Sequence, residues 1–228
     1  MAWVFKSKIF NFIFPIWNID SRLRGNDRIL CLIFTRLAFI FAIIITPATS
    51  SQAAEYSQDL NNFINLEIKP WVNSDIVVDN LNTQNQANAT LSESNLAVMD
   101  NNWRSEFRKI NQPVISKILN SELSQFLKRK LKEGQGVFTQ ISIINNKGLN
   151  IAQTIVTENY WNKGKAFWDK TFGQGSYATY ISDIYYSDET SKFQVDVSFM
   201  IIVDDQPIGT VYAGIDVEQL EDWKKRRR

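Results

Sequence analysis

The hydrophobic period of this chain changes once, at Glu133-Gly134-Gln135-Gly136, and that change limits the folds open to it. Upstream, from 54 to about 132, apolar residues recur at three- and four-residue steps, the spacing that lines one face of a helix. Leu60, Phe63, Ile64, Ile68 and Trp71 form one such stripe. Asn73-Ser74-Asp75 breaks it and offers an N-cap, and Ile76, Val77 and Leu81 continue a short helix. Residues 82–95 are polar, with Ser92 and Asn95 marking the next start, and Met99, Trp103 and Phe107 fall on the stripe that follows. Pro113 opens a further helix carrying Val114, Ile118, Leu119, Leu123, Phe126, Leu127 and Leu131, which the glycines end.

Downstream the period is two. Strands are expected over 137–144, 149–154, 177–186, 192–202 and 207–217, with Asn145-Asn146-Lys147-Gly148 as a hairpin turn and a short helix over 217–225. Helices followed by antiparallel strands predict an α+β domain: long N-terminal helices packed on an antiparallel sheet of about five strands. The expected domain is 54–222, helical over 54–133 and sheet over 137–217, with a basic tail over 223–228. Alternation along the strands gives one sheet face to the helices and leaves the other for a ligand or for the insertion at 158–172.

The N-terminus reads as a targeting segment. Residues 37–46 (LAFIFAIIIT) are apolar and uncharged, Arg22, Arg24, Arg28 and Arg36 precede them, and Pro47 and small polar residues follow. Cleavage after Ala53 and export to the periplasm are expected, so 1–53 is a signal segment. An uncleaved inner-membrane anchor is the alternative, but a span over 29–45 would carry Arg36 inside the bilayer at a cost of about 2.5–3.5 kcal/mol. Residues 1–28 are too long for an ordinary n-region and read as a start-site error or repeat-derived sequence.

Composition then excludes chemistry. There is no histidine, and the single cysteine, Cys31, lies in the apolar N-terminal segment. The commonest general base, thiol catalysis and Cys/His zinc sites are therefore closed to the folded part. Asp183, Asp188, Asp196 and Asp216 offer carboxylates, but no spacing marks a catalytic pair. Asp204 and Asp216 read as turn or cap residues. No enzyme, no cofactor and no metal are expected. The net charge of +1 argues against nucleic acid. Without 1–53 the chain holds 19 basic and 22 acidic groups, five of the basic ones in the last five residues.

The insertion NYWNKGKAFWDKTF (159–172) packs large aromatic groups between lysines. Trp161 and Trp168 are seven apart, so a helix through them would turn both to the core; a pocket wall is the other reading.

Three stretches resemble the single-domain form of the extracytoplasmic PAS-like family called Cache. The hairpin ISIINNKGLNIAQT is similar to the family's strand, Asp/Asn-x-x-Gly, strand pattern. Thr157, Tyr160, Trp161, Trp168 and Thr171 resemble its T-x-x-Y-W…W…T block, and VSFMIIVDDQPIGTVYAGIDVEQL its last strand pair. Gln84-Asn85, with Asp100 and Trp103, resembles a subfamily of exported stand-alone members. The chain departs from the pattern at Asn159, at Asn162-Lys163-Gly164-Lys165, where the family is acidic, and at Met200, where it has proline.

The resemblance implies an exported small-molecule sensor module that lacks its own output domain and signals through a membrane receptor or kinase. Its ligand would lie between the sheet and the insertion, touching Tyr160, Trp161, Lys165, Trp168 and Asp183. Lys165 would suit a carboxylate and Asp183 an ammonium group, so an amino acid, an amine or a carboxylate is expected. A homodimer through the helices is open. The alternative is a membrane-anchored interaction protein with a vestigial pocket.

Overall fold

The computed structural model describes residues 49–175, 177 and 179–227. Of the expected targeting segment only 49–53 fall among them; the apolar run, Cys31 and the signal and anchor readings lie outside. Among the described residues no helix is long and apolar enough to cross a membrane. Gln52–Arg228 form one compact unit.

The helical half follows the stripes. Helix α1 (Thr49–Phe63) runs through a π-helical turn (Ile64–Ile68) into α2 (Lys69–Val72). Then come α3 (Asp75–Ala87), α4 (Glu93–Phe107), α5 (Pro113–Leu119) and α6 (Glu122–Glu133). Their starts have local causes. Ser92 and Asn95 form a reciprocal capping box, Ser121 accepts the Ser124 N–H, and Pro113 occupies the first turn of α5, where its missing N–H costs nothing. Helix α3 runs on to Ala87, through the first part of the polar stretch 82–95. Val77 and Leu81 anchor it in the core, and Asn85 ties its end to the sheet, donating to Ile208 O (2.7 Å) and accepting from Asn146 N (3.1 Å).

The sheet is antiparallel throughout. Strands β1 (Phe138–Asn145), β2 (Asn150–Gln153), β5 (Lys192–Val203) and β6 (Gln206–Asp216) lie in the order β2-β1-β6-β5. Short strands β3 (Tyr180–Ile181) and β4 (Tyr185–Ser187) both pair with β5. The β1–β2 turn forms as expected: Gly148 has φ +87°, and Asn145 Oδ1 accepts the N–H groups of Lys147 and Leu149. The third strand does not. In place of one run over 177–186 there are two fragments broken at 182–184. The Ser182 hydroxyl accepts the Asp196 N–H (2.8 Å), while the Ser182 N–H reaches Asp196 O (3.0 Å), so a side chain takes one ladder position. Helix α7 (Ala166–Asp169) and a 3-10 turn (Phe172–Gln174) lie in the insertion, and α8 (Val217–Arg226) closes the chain. Asp216 caps α8 through the N–H groups of Glu218 and Gln219, as expected.

The α+β architecture, helices on one face of an antiparallel sheet, agrees with the sequence reading. The period-two alternation then divides the molecule. Ile141, Ile143, Val195, Val197, Phe199, Val211, Ala213 and Ile215 face the helices, meeting Leu60, Phe63, Ile68, Val77, Leu81, Leu123 and Leu127 in the main core. Burying each large apolar side chain is worth about 1.5–3 kcal/mol, so the helices are held to that face. The opposite face carries Gln140, Ser142, Asp196, Ser198 and the Tyr212 hydroxyl beside the apolar Ile144, a mostly polar set unlike the main core.

Candidate functional site

On that polar face lies a cavity of about 660 Å³, enough for a small organic molecule. Strands β1, β6 and β5 supply its floor through Gln140, Ser142, Ile144, Tyr212 and Asp196. Tyr180 and Tyr185 close one side. The insertion forms the wall with Thr157, Glu158, Asn159, Asn162, Lys165 and Phe167, and Phe107, Asp188 and Glu189 form the rim.

The wall stands where it does because of residues outside it. Asp100 on α4 is buried, and its Oδ1 accepts the N–H groups of Tyr160 (2.8 Å) and Trp161 (3.0 Å) while Oδ2 pairs with Arg104 (2.7 Å). Trp103 donates its Nε1–H to Thr157 O (2.7 Å) and stacks on Tyr160, ring centres 5.1 Å apart. Asn162 reaches back to the β1–β2 hairpin, donating from its backbone to Gly148 O (2.8 Å) and from Nδ2 to Asn150 Oδ1 (2.9 Å). Ser198 donates to Phe167 O (2.9 Å), which seats α7 on the sheet.

The chemical centre of the floor is Asp196. The hydroxyls of Tyr185 and Tyr212 each donate to its Oδ1 at 2.8 Å, and Gln194 Nε2 does so at 3.1 Å. Among the described residues, Oδ2 has no hydrogen-bond partner. Burial pushes the Tyr212 phenol well above its ordinary value, and the adjacent Asp196 charge adds to this; the same two causes raise Tyr185. Both therefore stay protonated and keep donating. Burial also raises the carboxyl of Glu189, with the Asp196 and Glu158 charges adding to it and Lys165 opposing it. The cavity thus gathers Asp196, Asp188, Glu189 and Glu158 around one cation, Lys165, with tyrosine and phenylalanine rings between them. Such a site favours a positively charged guest.

Of the five residues singled out in the sequence, Lys165 lines this cavity. Tyr160 is buried with Leu96, Trp103, Ile115 and Leu149, and burial raises its phenol to about 12. Trp161 is half-buried beside that cluster and donates its Nε1–H to Lys147 O (2.9 Å). Trp168 is buried with Ile144 and Tyr212 and stacks on Phe172 at 4.8 Å. Only 166–169 of the insertion is α-helical, so the two tryptophans do not share a helix face. Asp183 sits in the break between β3 and β4, exposed, along a second cleft of about 740 Å³ with Tyr56, Asp59, Glu221 and Lys224. The carboxylate inside the cavity is Asp196. Its sequence signal was an acid inside the strand VDVSF, in phase with Ser198 and, on the next strand, Tyr212. Among the described residues no group of three or more His, Cys, Asp or Glu is placed to hold a metal ion.

No family model matches the chain, and no curated protein matches it. Among solved structures it is similar to sensor domains. One is that of the V. cholerae histidine kinase DctB, at 10% identity and TM-score 0.41, covering 76% of this chain and 56% of that one. A second is the sensory domain of the Campylobacter jejuni chemoreceptor Tlp3, at 11% identity and TM-score 0.36, covering 73% and 66%. The ligand-binding domain of Tlp3 in complex with 4-methylisoleucine is similar at 16% identity and TM-score 0.35, covering 67% and 65%. The chain spans 56–66% of the length of these structures. Those proteins are sensor domains; the chemistry of the present site is read from its own residues.

Proposed function

We propose that the protein is a ligand-binding sensor module of the periplasm that recognises a small organic amine and passes its occupancy to a membrane receptor or kinase. One observation carries the reading. Asp196 takes three donors on one oxygen and, among the described residues, none on the other, inside a cavity where carboxylates outnumber lysine. The tyrosine hydroxyls fix the carboxylate without neutralising it, which pre-organises it for an ammonium group. Arginine would be the residue for a carboxylate clamp, and none lines the cavity. A free carboxylate ligand would meet Lys165 and a surplus of like charge. The expected periplasmic location rests on the signal-like N-terminus.

Calorimetry and thermal melting with a panel of primary amines, amino acids and carboxylates test it. Amine binding is expected, with stabilisation of about 2.7 kcal/mol at a hundredfold excess over Kd. Asp196→Asn removes the charge but keeps an acceptor and should weaken binding by roughly 10- to 100-fold. Binding of carboxylates but not amines, or an unchanged affinity in Asp196→Asn, would overturn the reading.

A further inference from the structure

Beside Asp196 the floor holds a second acceptor, a buried amide oxygen that no described residue uses. Gln140 is 4% exposed and lines the cavity. Its Nε2 donates to the Tyr212 hydroxyl at 2.8 Å, and that hydroxyl donates to Asp196 Oδ1 at 2.8 Å. The direction of this chain is forced. A carboxylate only accepts, so Tyr212 spends its one proton on Asp196 and must accept from Gln140, which points the amide N–H at the tyrosine. The amide oxygen is left over, and Gln140 Oε1 is buried without a hydrogen-bond partner. A buried acceptor without a donor is costly, and native proteins leave few of them unexplained.

Polar side chains continue along the same face of the sheet. Ser142 is next on β1 and buried, and Gln153, its partner across to β2, is fully buried with Nε2 unpartnered. Gln153 Oε1 accepts from Thr157, itself part of the cavity wall. An apolar ligand tail placed here would leave Gln140 Oε1 without a donor.

We propose that the ligand carries two hydrogen-bond donors a few bonds apart, an ammonium group for Asp196 and a second N–H or O–H for Gln140 Oε1, so that the cavity selects diamines and amino alcohols over monoamines and branched apolar amino acids. The spacing follows from the relay. Two hydrogen bonds of 2.8 Å separate Gln140 Nε2 from Asp196 Oδ1, so the unused Oε1 and Oδ2, one group-width further out on each side, lie within about 10 Å, a gap that a short molecule with a donor at each end can bridge. The inference rests on the amine reading of the cavity and adds a second contact to it.

The test uses the purified protein and calorimetric titration with 1,3-diaminopropane, ethanolamine, propylamine and isoleucine. The two-donor probes are expected to bind on the order of tenfold tighter than propylamine. Gln140→Met, close in volume but without the amide, should erase that preference, read as the ratio of 1,3-diaminopropane to propylamine affinity in the same protein. Gln140→Glu, which restores an acceptor, should bring the preference back. Equal binding of propylamine and 1,3-diaminopropane would overturn this inference and leave the amine reading standing. Binding of none of the amines would overturn both. A preference that survives in a folded Gln140→Met would place the second contact elsewhere and overturn the role of Gln140.

Discussion

Replacing Asp100 with alanine removes no atom of the cavity, yet it should loosen the cavity wall. The Asp100 carboxylate takes two backbone N–H groups, those of Tyr160 and Trp161, at 2.8 and 3.0 Å, where the chain enters the insertion. Alanine leaves both donors without an acceptor, the first of them fully enclosed. Losing a charged acceptor from two such groups should cost about 2–4 kcal/mol in all. The ion pair with Arg104 adds little, because the arginine is 45% exposed and screened by solvent. For a domain of this size the loss corresponds to a fall in melting temperature of about 4–16 °C. Asp100→Asn keeps one carbonyl oxygen for the two N–H groups and should lose about 1 kcal/mol. Two assays read the effect: thermal melting of the three proteins, and hydrogen exchange at the amides of 160 and 161. Those two amides should exchange faster in Asp100→Ala while the amides of β5 and β6 change only with global stability. A variant melting within about 2 °C of the parent, with both amides as protected as before, would refute the reasoning that this carboxylate holds the wall.

Further outcomes follow from the same contacts. A Cβ on Gly209 would lie 2.5 Å from Leu81 Cδ2 and 2.6 Å from Ile144 O, and the second is backbone that cannot turn aside; Gly209→Ala should therefore cost roughly 1–3 kcal/mol, read by denaturant unfolding. The phenols of Tyr160 and Tyr212 are raised in the folded state, the first to about 12. Raised folded values mean that their contribution is complete below the unfolded value near 10 and is lost as pH rises through the folded ones, so stability should fall above about pH 10 by up to 1.4 kcal/mol per pH unit per tyrosine. A spectrophotometric titration in which every tyrosine ionises near pH 10 without unfolding would contradict this.

The two periods were enough for the fold class, because a 3.6-residue stripe and a two-residue alternation each dictate a geometry that local backbone sterics already favour. The helix starts at Ser92 and Pro113 and the Asn145–Gly148 turn were legible for the same reason: each is a hydrogen bond or a dihedral made within a few residues. The break at Ser182 was not, since it depends on a hydroxyl meeting Asp196 from a strand fourteen residues away. The role of the aromatic insertion was legible only in outline. Its sequence marks a segment that must be buried. Whether a ring meets ligand or core depends on what faces it: Trp103 covers Tyr160, and Ile144, Tyr212 and Phe172 cover Trp168. Lys165, with no such cover, is left to the cavity. The sheet phase of Asp196, Ser198 and Tyr212 can be read along each strand, but their convergence needs the β5–β6 register that sets Ser198 opposite Tyr212 and Asp196 opposite Gly214. Register and the choice of facing partner are decided by long-range packing, so the sequence alone determined which elements form, and the tertiary structure decided that Asp196 and Gln140, rather than the tryptophans, face the cavity.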